Sequence, residues 1–181
     1  MQIRGRHEWG ALPPGRPLTG LTPERVTDVY LHHTTGEQQR DVQAWIRAIQ
    51  RFHQQTRGWN DIGYSYLVDR NGTVWEGRGR NVGAHTKGYN SSSIGIAYLG
   101  DGSTKPPDDA LISIVRLIDL MAQRYPITTV RGHRHVGRTA CPGDWLAGWL
   151  ARGRPLPAPP KRRSPVPDLR EGWKRRLRRF R

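Results

Sequence analysis

Apolar residues recur at helical spacing in two stretches of the chain. The first stretch has them at positions i, i+3, i+4, i+7 and i+10: Val42, Trp45, Ile46, Ile49 and Phe52. The second stretch repeats the pattern with Leu111, Ile114, Val115, Ile118 and Met121. Because a helix places such positions on one face, both stretches are predicted to be amphipathic helices. Pro126 is expected to end the second helix, since proline cannot continue the hydrogen bonds of a helix backbone.

Five shorter segments are rich in β-branched, aromatic and other apolar residues, as strands are. They cover residues 26–33, 64–68, 74–76, 94–99 and 127–130. Asn71-Gly72 lies between two of these segments and is a strong signal for the tight turn of a hairpin. Strands mixed with helices in this way predict an α/β fold in which a mixed central β-sheet is covered by helices.

The charge of the chain changes near residue 152. The 181 residues carry a net charge of +15. From Arg152 to Arg181 there are twelve Lys or Arg against two acids, and a proline-rich stretch, residues 154–160, stands at the change. Such a stretch forms an extended, semi-rigid linker. The sequence therefore predicts one folded domain at residues 1–152, followed by a Pro-rich linker and a cationic tail at residues 153–181.

Composition excludes several classes of protein and favours others. No apolar run approaches the roughly 18 residues that a membrane-spanning helix needs. The single cysteine rules out a framework of intramolecular disulfides. The first ten residues lack the apolar stretch of a secretory leader. The positive charge favours an anionic partner, and the candidates are a cell-wall polymer, a nucleic acid and an anionic membrane surface.

The tail carries a helical apolar stripe in a basic background. Its apolar residues stand at i, i+4, i+8 and i+11: Leu169, Trp173, Leu177 and Phe180. Asp168 suits the capping position before them. Because basic amphipathic helices lie on anionic surfaces, we expect the segment from Lys161 to Arg181 to bind the anionic cell envelope. The alternatives are a disordered, solvated tail and contacts to nucleic-acid phosphates; no sequence-reading motif is present, so no specific nucleic acid is expected.

Histidines and the lone cysteine form the most informative polar pattern. One apolar strand ends in His32 and His33. His133 follows the last predicted strand, and Cys141 comes eight residues after it. Imidazole and thiolate are good zinc ligands, and three protein ligands leave a fourth position for water. Successive strand side chains point to opposite faces, so only one of the adjacent histidines can ligate, and parity does not say which. The alternatives are hydrogen-bonded core histidines and a small, buried cysteine.

The segments around these residues resemble the type-2 N-acetylmuramoyl-L-alanine amidases, a superfamily that includes phage amidase lysins and peptidoglycan recognition proteins. The resemblance spans most of the folded part, and its segments occur in the family's order: 4–11, 30–34, 58–66, 69–78, 83–90, 93–96 and 132–143. It implies a bound Zn²⁺ whose ligands are His32, His133 and Cys141. It leaves His33 a supporting or structural role, and His135 is expected to be exposed or to line the groove.

The resemblance also implies two catalytic residues. Tyr64 matches a tyrosine that lies beside the zinc in active members, where a positioned hydroxyl can act on the hydrolytic water or on developing charge. The alternative is a packed aromatic residue of the strand, and Tyr66 is expected to share its face. Thr139 stands where some phage amidases have lysine, and it is similar to the threonine of recognition-type amidases. Its hydroxyl is a weaker donor to an oxyanion than a lysine ammonium.

Three further residues are expected to contact the substrate, again from the resemblance. His85 and Asn90 belong to a segment that lines the substrate groove in the family. Arg78 is expected to contact the stem peptide together with Asn90. The stretch 80–82 lies in a region linked to the third stem residue, and it does not distinguish diaminopimelate from lysine.

The function that this resemblance implies is hydrolysis of the amide between N-acetylmuramic acid and L-alanine in peptidoglycan. The first hypothesis is a monomeric zinc amidase acting as a phage or prophage endolysin, held in the host cytoplasm until its release to the cell wall. The alternative from a different class is a non-catalytic peptidoglycan-binding recognition module. Retention of Cys141 argues for activity, since members that lose this cysteine become pure binders. A third hypothesis is a nucleic-acid-binding protein led by the tail, but it does not explain the four residues His32, Tyr64, His133 and Cys141. The competing role for Cys141 is the nucleophile of a Cys–His hydrolase, which would need an exposed thiol with a lowered pKa.

Overall fold

The computed structural model describes residues 2–36 and 40–156. Six strands make up its sheet: β1 (Ile3–Arg4), β2 (Asp28–His33), β3 (Tyr66–Val68), β4 (Val74–Glu76), β5 (Ser93–Tyr98) and β6 (Thr129–Gly132). Three α-helices accompany them: α1 (Val42–Arg51), α2 (Asp108–Ala122) and α3 (Asp144–Ala151). Short 3₁₀ turns lie at Arg6–Trp9, Pro23–Arg25 and His133–His135, and a π-helical turn at Phe52–Thr56 continues α1.

The strands form a single mixed sheet with the order β1-β4-β3-β5-β2-β6. Only the β3–β4 pair is antiparallel, as expected for a hairpin that turns at Asn71-Gly72, and every other pair is parallel. The predicted α/β class with a mixed central sheet is therefore confirmed. Because β2 is hydrogen-bonded on both sides, the residues at its carboxyl end are held rigidly in place.

Helices cover both faces of the sheet, and each face has its own apolar core. On one face, α2 and α3 pack on a cluster that contains Leu31, Tyr66 and Ile96. On the other face, α1 and the first 3₁₀ turn pack on a cluster that contains Leu67 and Trp75. Burying an apolar side chain of this size contributes about 1.5–3 kcal/mol, so the two clusters carry much of the stability of the domain.

The end of each predicted helix differs from expectation. Helix α1 begins after Asp41, whose Oδ1 accepts a hydrogen bond from the N–H of Ala44 at 2.8 Å. Phe52 was expected on its buried face, but the backbone changes to π-helical geometry there and the ring is 47% exposed. Helix α2 ends at Ala122, four residues before Pro126, so proline does not itself end the helix.

Strand β3 begins later than the sequence predicts, and this changes the positions of two tyrosines. Residues 64 and 65 precede the regular strand, and the carbonyl of Ser65 accepts hydrogen bonds from the N–H groups of both Gly77 and Gly79. Because alternation of side chains holds only in a regular strand, Tyr64 packs on the α1 side while Tyr66 packs on the α2 side. The expectation that they share a face was wrong.

Nothing among the described helices is long and apolar enough to cross a membrane. The predicted linker lies almost entirely outside the described residues, as do the basic stripe and the capping Asp168. Helix α3 ends at Ala151, immediately before the predicted domain boundary at residue 152, and that boundary stays a prediction.

Candidate metal centre

The candidate site lies where β2 and β6 end, at the same edge of the sheet. His32 is the last residue but one of β2, and His133 follows the final residue of β6. Parallel strands bring their carboxyl ends to one edge, which is where ligands bind in open α/β sheets. The loop that carries Cys141 returns to this edge before α3 begins. Residues separated by 109 positions in the chain therefore meet in space.

His32, His133 and Cys141 present their donor atoms to one point, because all of these atoms lie within 4.8 Å of one another. The sulfur of Cys141 is 3.5 Å from Nδ1 of His32. In a tetrahedral zinc site, a nitrogen and a sulfur ligand are separated by about 3.5 Å. Two imidazoles and one thiolate also suit Zn²⁺ chemically, so the residues present fit the ion.

The histidines at this centre are neutral, as metal ligands must be. Burial lowers the pKa of His32 well below its ordinary value, and the neighbouring His85, His133 and His33 lower it further. Burial also lowers the pKa of His133. Nε2 of His32 lies 3.3 Å from Nδ1 of His85 and 3.4 Å from the hydroxyl of Thr86. These two contacts hold the ring with Nδ1 turned toward Cys141.

The sulfur of Cys141 is partly buried and receives one backbone donor. The N–H of His33 donates to it at 3.4 Å. Burial raises the pKa of the thiol to about 11, while that N–H and the charge of Arg134 act in the opposite direction. Such a pKa does not fit the activated thiolate of a Cys–His hydrolase, which needs a lowered value. It fits a ligand whose proton is displaced by a cation.

Arg134 holds the loop of Cys141 against the turn that carries His133. Its N–H donates to the carbonyl of Cys141 at 2.9 Å, and its guanidinium donates to the carbonyl of Ala140. The same guanidinium forms a salt bridge of 2.8 Å with Asp144 at the start of α3. Gly143 completes the loop at a φ of +92°, where an added Cβ would collide with the backbone of Gly102. The loop geometry is thus fixed from both sides.

A cavity of about 330 Å³ opens beside the three candidate ligands. The two predicted catalytic residues, Tyr64 and Thr139, line it together with the ligands. The ring of Tyr64 lies 5.4 Å from that of His32, and burial raises the pKa of its hydroxyl above the ordinary value. Thr139 accepts a hydrogen bond from the N–H of Cys141 at 3.1 Å, so its hydroxyl hydrogen remains available for a second partner.

His53 also lines this cavity, and the sequence reasoning missed it. It lies in the π-helical turn after α1, stacked on Trp59 and edge-on to Tyr64. Its Nδ1 accepts a hydrogen bond from the N–H of Gly63 at 3.1 Å. The sequence around His53 does not indicate that it lines a cavity, because its position there depends on tertiary contacts between the π-helical turn and the residues before β3.

His85 and Asn90 lie where a groove continues from the metal centre. They line a cavity of about 450 Å³ with Arg57, Trp59 and Lys87. The ring of His85 is buried, and a Cβ at Gly83 or Gly95 would collide with it. Asn90 uses Oδ1 to accept from the N–H groups of His85 and Thr86, at 2.9 and 2.8 Å. These placements are compatible with the predicted substrate contacts, which stay predictions.

Arg78 lies elsewhere. Its side chain is buried, and it donates to the carbonyls of Asp61, Ile62 and Val82 at 3.1, 2.7 and 2.9 Å. Because these bonds occupy the guanidinium inside the protein, the predicted contact of Arg78 with a stem peptide does not fit the structure. The residue instead ties the segment before Gly63 to the loop that leads to His85.

Two further histidines near the centre, His33 and His135, have their Nδ1 atoms beside other groups. Nδ1 of His33 accepts a hydrogen bond from the N–H of Gly102 at 3.0 Å and lies 3.5 Å from a carboxylate oxygen of Asp101. His135 is exposed, with Nδ1 3.1 Å from the carbonyl of Gly132. Of the adjacent pair at the end of β2, the structure therefore turns His32 toward the other candidate ligands.

Comparison with known proteins relates most of the chain to one family. A family model described as N-acetylmuramoyl-L-alanine amidase matches residues 22–144. The human protein named N-acetylmuramoyl-L-alanine amidase is 38% identical over 196 residues, which covers 92% of this chain and 34% of the human protein. Peptidoglycan-recognition protein SC2 of Drosophila simulans is 38% identical over 151 residues, which covers 78% of this chain and 80% of that protein.

A solved structure shares the fold. Peptidoglycan recognition protein-LE was solved in complex with tracheal cytotoxin, described as monomeric diaminopimelic acid-type peptidoglycan. It is 32% identical with a TM-score of 0.74, and the match covers 83% of this chain and 92% of that chain. The chain thus spans about a third of the length of the human relative, but most of the length of the Drosophila relative and of the solved structure.

Proposed function

Because the chain belongs to the type-2 N-acetylmuramoyl-L-alanine amidase and peptidoglycan recognition protein superfamily, we propose that it is a zinc-dependent amidase. Its substrate is the amide bond between the lactyl group of N-acetylmuramic acid and L-alanine in peptidoglycan. The observation that carries the proposal is the convergence of donor atoms from His32, His133 and Cys141 beside the hydroxyl-bearing Tyr64.

Zinc at this site supplies Lewis acidity toward a carbonyl oxygen and lowers the pKa of water. His32, His133 and Cys141 are the residues that hold it. His85 and Thr86 act through His32, since their contacts with Nε2 leave Nδ1 facing the centre. A fixed ligand ring of this kind binds metal more tightly than a freely rotating one, because less side-chain freedom is lost.

Tyr64 and Thr139 act on the reacting amide. In amide hydrolysis the oxygen of water bonds to the carbonyl carbon, negative charge develops on the carbonyl oxygen, and the departing nitrogen takes up the proton that the attacking water gives up as the C–N bond breaks. The hydroxyl of Tyr64 lines the cavity and donates a hydrogen bond to that oxygen, which stabilises the charge that develops there. Thr139 donates a second, weaker hydrogen bond, since its oxygen is already held by the N–H of Cys141.

The neighbouring groove binds the glycan and stem peptide. Trp59 offers a flat surface beside His85, and Arg57 and Lys87 place positive charge at the rim. Peptidoglycan stems carry carboxylates, which these cations attract. The relative solved with a peptidoglycan fragment supports this choice of partner.

The same protein fits the role of an endolysin at the bacterial envelope. What supports this is the net charge of +15 and the cationic segment from Lys161 to Arg181, which attract the chain to anionic polymers and lipid. In this role the chain stays in the cytoplasm of the host until release to the wall, acts as a monomer, and lyses the cell. The test uses bacteria whose outer surface has been permeabilised. Added wild-type protein should lower the turbidity of the cell suspension, and the Cys141→Ser variant should leave it unchanged.

Binding without hydrolysis is the second candidate function. Relatives named as recognition proteins favour it, since that name describes binding alone. The retained set of His32, His133 and Cys141 favours hydrolysis, because a pure binding groove needs no soft metal ligands.

The test is the appearance of new L-alanine amino termini when purified peptidoglycan is incubated with the zinc-loaded protein. Wild type should release them while glycan strands stay intact. Chelation, and the His133→Gln variant, should abolish release. His135→Gln is the matched control, because it changes an exposed histidine two positions away, and it should retain release. Wall binding by wild type without release would establish the recognition function instead.

A further inference from the structure

A separate cavity of about 990 Å³ lies on the α2 side of the sheet, away from the metal centre. Tyr66 of β3 lines it, and this side chain belongs to the core that packs against α2. Glu76 comes from the end of β4, and Arg80 and Asn81 come from the loop that follows. Arg124 and Tyr125 come from the segment after α2. Because Tyr64 and α1 belong to the other face, the sheet separates this cavity from the candidate catalytic residues.

Backbone hydrogen bonds fix the walls of the cavity. The carbonyl of Arg80 accepts from the N–H of Leu21 at 2.9 Å, which ties the loop after β4 to the N-terminal segment. The N–H of Val82 donates to the carbonyl of Thr19 at 2.8 Å on the other side of that loop. The N–H of Tyr125 donates to the carbonyl of Met121 at 2.9 Å and so continues the last turn of α2. The cavity is therefore preformed.

The polar groups on these walls are mostly donors. Arg80 and Arg124 are exposed, and across residues 2–36 and 40–156 no hydrogen bond or salt bridge engages either guanidinium. Tyr66 and Tyr125 are 3% and 6% exposed. Burial raises the pKa of Tyr66 to about 12 and raises that of Tyr125, so both hydroxyls keep their hydrogens at neutral pH and can donate.

Two acceptors complete the lining. Glu76 contributes a carboxylate that is partly buried. Asn81 uses its Nδ2 to donate to the carbonyl of Arg78 at 2.8 Å, which leaves its Oδ1 as an acceptor. A bare inorganic ion would use only the donors and would fill a small part of the volume. A ligand that fits all of these groups carries an anionic head and hydroxyl groups on the same small molecule.

We propose that this cavity binds a phosphate ester of a polyol or sugar. Arg80 and Arg124 hold the phosphate, since guanidinium groups match its oxygens in pairs and remain charged at every physiological pH. The hydroxyls of Tyr66 and Tyr125 donate to the remaining phosphate oxygens. Glu76 and Asn81 accept from the hydroxyls of the polyol. The ligand is either a soluble ester such as a wall-polymer unit or the headgroup of an anionic lipid, and the two share this chemistry.

The first measurement is a residue-resolved NMR titration of the full-length ¹⁵N-labelled protein with sn-glycerol 3-phosphate at constant ionic strength. We expect saturable shifts of the backbone amides of Tyr66, Glu76, Arg80 and Tyr125. Glycerol alone should produce none of them, because it lacks the phosphate. The residue-by-residue readout separates this cavity from the basic tail, which also attracts anions.

Variants make the measurement decisive. Arg80→Gln and Arg124→Gln should each raise the Kd about tenfold, the usual cost of one charge-assisted contact. Arg116→Gln is the matched control, since it removes the same charge from an exposed position of α2 that does not line the cavity, and its Kd should match wild type. Tyr66→Phe keeps the ring and removes the hydroxyl, so it should weaken binding in a fold that stays intact.

Equal affinity in the Arg80, Arg124 and Arg116 variants would overturn the proposal, and so would shifts confined to residues 157–181 or to residues of the metal centre. Binding to phosphatidylglycerol vesicles, but not to phosphatidylcholine vesicles, that is lost in Arg80→Gln would identify the lipid headgroup as the source. Vesicle binding unaffected by Arg80→Gln, with the soluble ester still bound at the cavity, would identify a soluble polyol phosphate. Release of L-alanine termini by Arg124→Gln should equal wild type, because Arg124 lines this cavity and belongs to no part of the amidase site, so the two sites are tested independently.

Discussion

The backbone N–H of His33 donates a hydrogen bond to the sulfur of Cys141, 108 positions further along the chain, at 3.4 Å. The bond joins the end of β2 to the loop before α3 through a main-chain atom, so it does not depend on the identity of the residue at position 33. It holds the sulfur 3.5 Å from Nδ1 of His32, so that both atoms can bind the same cation. The end of β2 therefore contributes both a candidate ligand, His32, and the backbone group that positions the sulfur of another, Cys141.

The first prediction concerns zinc as a stabilising ligand. Adding Zn²⁺ at about 100 times its Kd should raise the free energy of unfolding of the wild type by ~2.7 kcal/mol, because only the folded chain holds the three ligands together. Cys141→Ser and His133→Gln should lose most of this gain. Thermal unfolding with zinc and with a chelator measures it. His135→Gln should keep the gain, and an equal gain in all four proteins would place the zinc at another site.

The second prediction concerns Arg134. Arg134→Gln should lower zinc affinity about 10- to 100-fold, because the loop of Cys141 loses its anchors at Ala140 and Asp144 while all three ligands remain. Competition with a chromophoric chelator gives the affinity directly. Arg138→Gln is the matched control, since it removes an exposed arginine from the same loop. If both variants bind zinc as wild type does, the anchors do not position the ligand.

The third prediction concerns Tyr64. Tyr64→Phe should lower kcat by about 10²- to 10³-fold, since it removes a donor to the developing oxyanion. KM and zinc affinity should change little, because the ring and its packing against His32 are retained. Steady-state kinetics on a soluble muropeptide, together with a chelator titration, separates these quantities. A rise in KM with unchanged kcat would make Tyr64 a substrate-binding residue.

The fourth prediction concerns pH and His53. Burial, with smaller contributions from Arg57 and Arg78, lowers the pKa of His53 to about 4 in the folded protein, against an ordinary 6.5. The unfolded chain therefore binds more protons between these values, so the free energy of unfolding falls as pH drops from 6.5 to 4. His53→Asn keeps an acceptor for the N–H of Gly63 without titrating, and its stability should fall less steeply. Denaturant unfolding of the metal-free proteins at several pH values measures the difference in slope between wild type and variant. The other histidines are present in both proteins, so their titration cancels in this comparison. Parallel curves would contradict the assignment.

The fifth prediction concerns the basic tail. Deleting residues 161–181 should leave turnover of a soluble muropeptide nearly unchanged, because the candidate ligands and cavities lie in the remaining chain. Binding to whole cells should weaken, and the binding of wild type should fall steeply with added salt. Sedimentation of protein with cells at two salt concentrations measures this. Equal losses on soluble substrate and on cells would show that the tail packs on the catalytic domain.

Much of the fold could be predicted from periodicity, because periodicity reports which face of an element is buried. The five predicted strands and two helices all occur in the structure; the strand at residues 74–76 has its predicted bounds, and the bounds of the other elements differ by a few residues. The errors arise where local geometry is irregular. Alternation assigned Tyr64 and Tyr66 to one face, but the backbone before β3 bonds to the loop after β4 and breaks the alternation.

The candidate site was less accessible to sequence reasoning, since its members are distant in the chain. Residue type alone suggested histidine and cysteine ligands, but the choice between His32 and His33 depends on which side of β2 faces the loop of Cys141. Arg78 looked like a polar groove residue, and only the tertiary structure shows its guanidinium enclosed by backbone carbonyls. His53 gave no signal, because its neighbours come from another segment.

The separation of the ligands along the chain has a consequence for biosynthesis. His32 is translated early, but the loop of Cys141 is held by Arg134 and by Asp144 of α3, so the centre forms only when nearly the whole domain has left the ribosome. A nascent or prematurely terminated chain that ends between residues 133 and 141 therefore carries His32 and His133 without a complete metal site. Such fragments should have no amidase activity inside the cell that makes them.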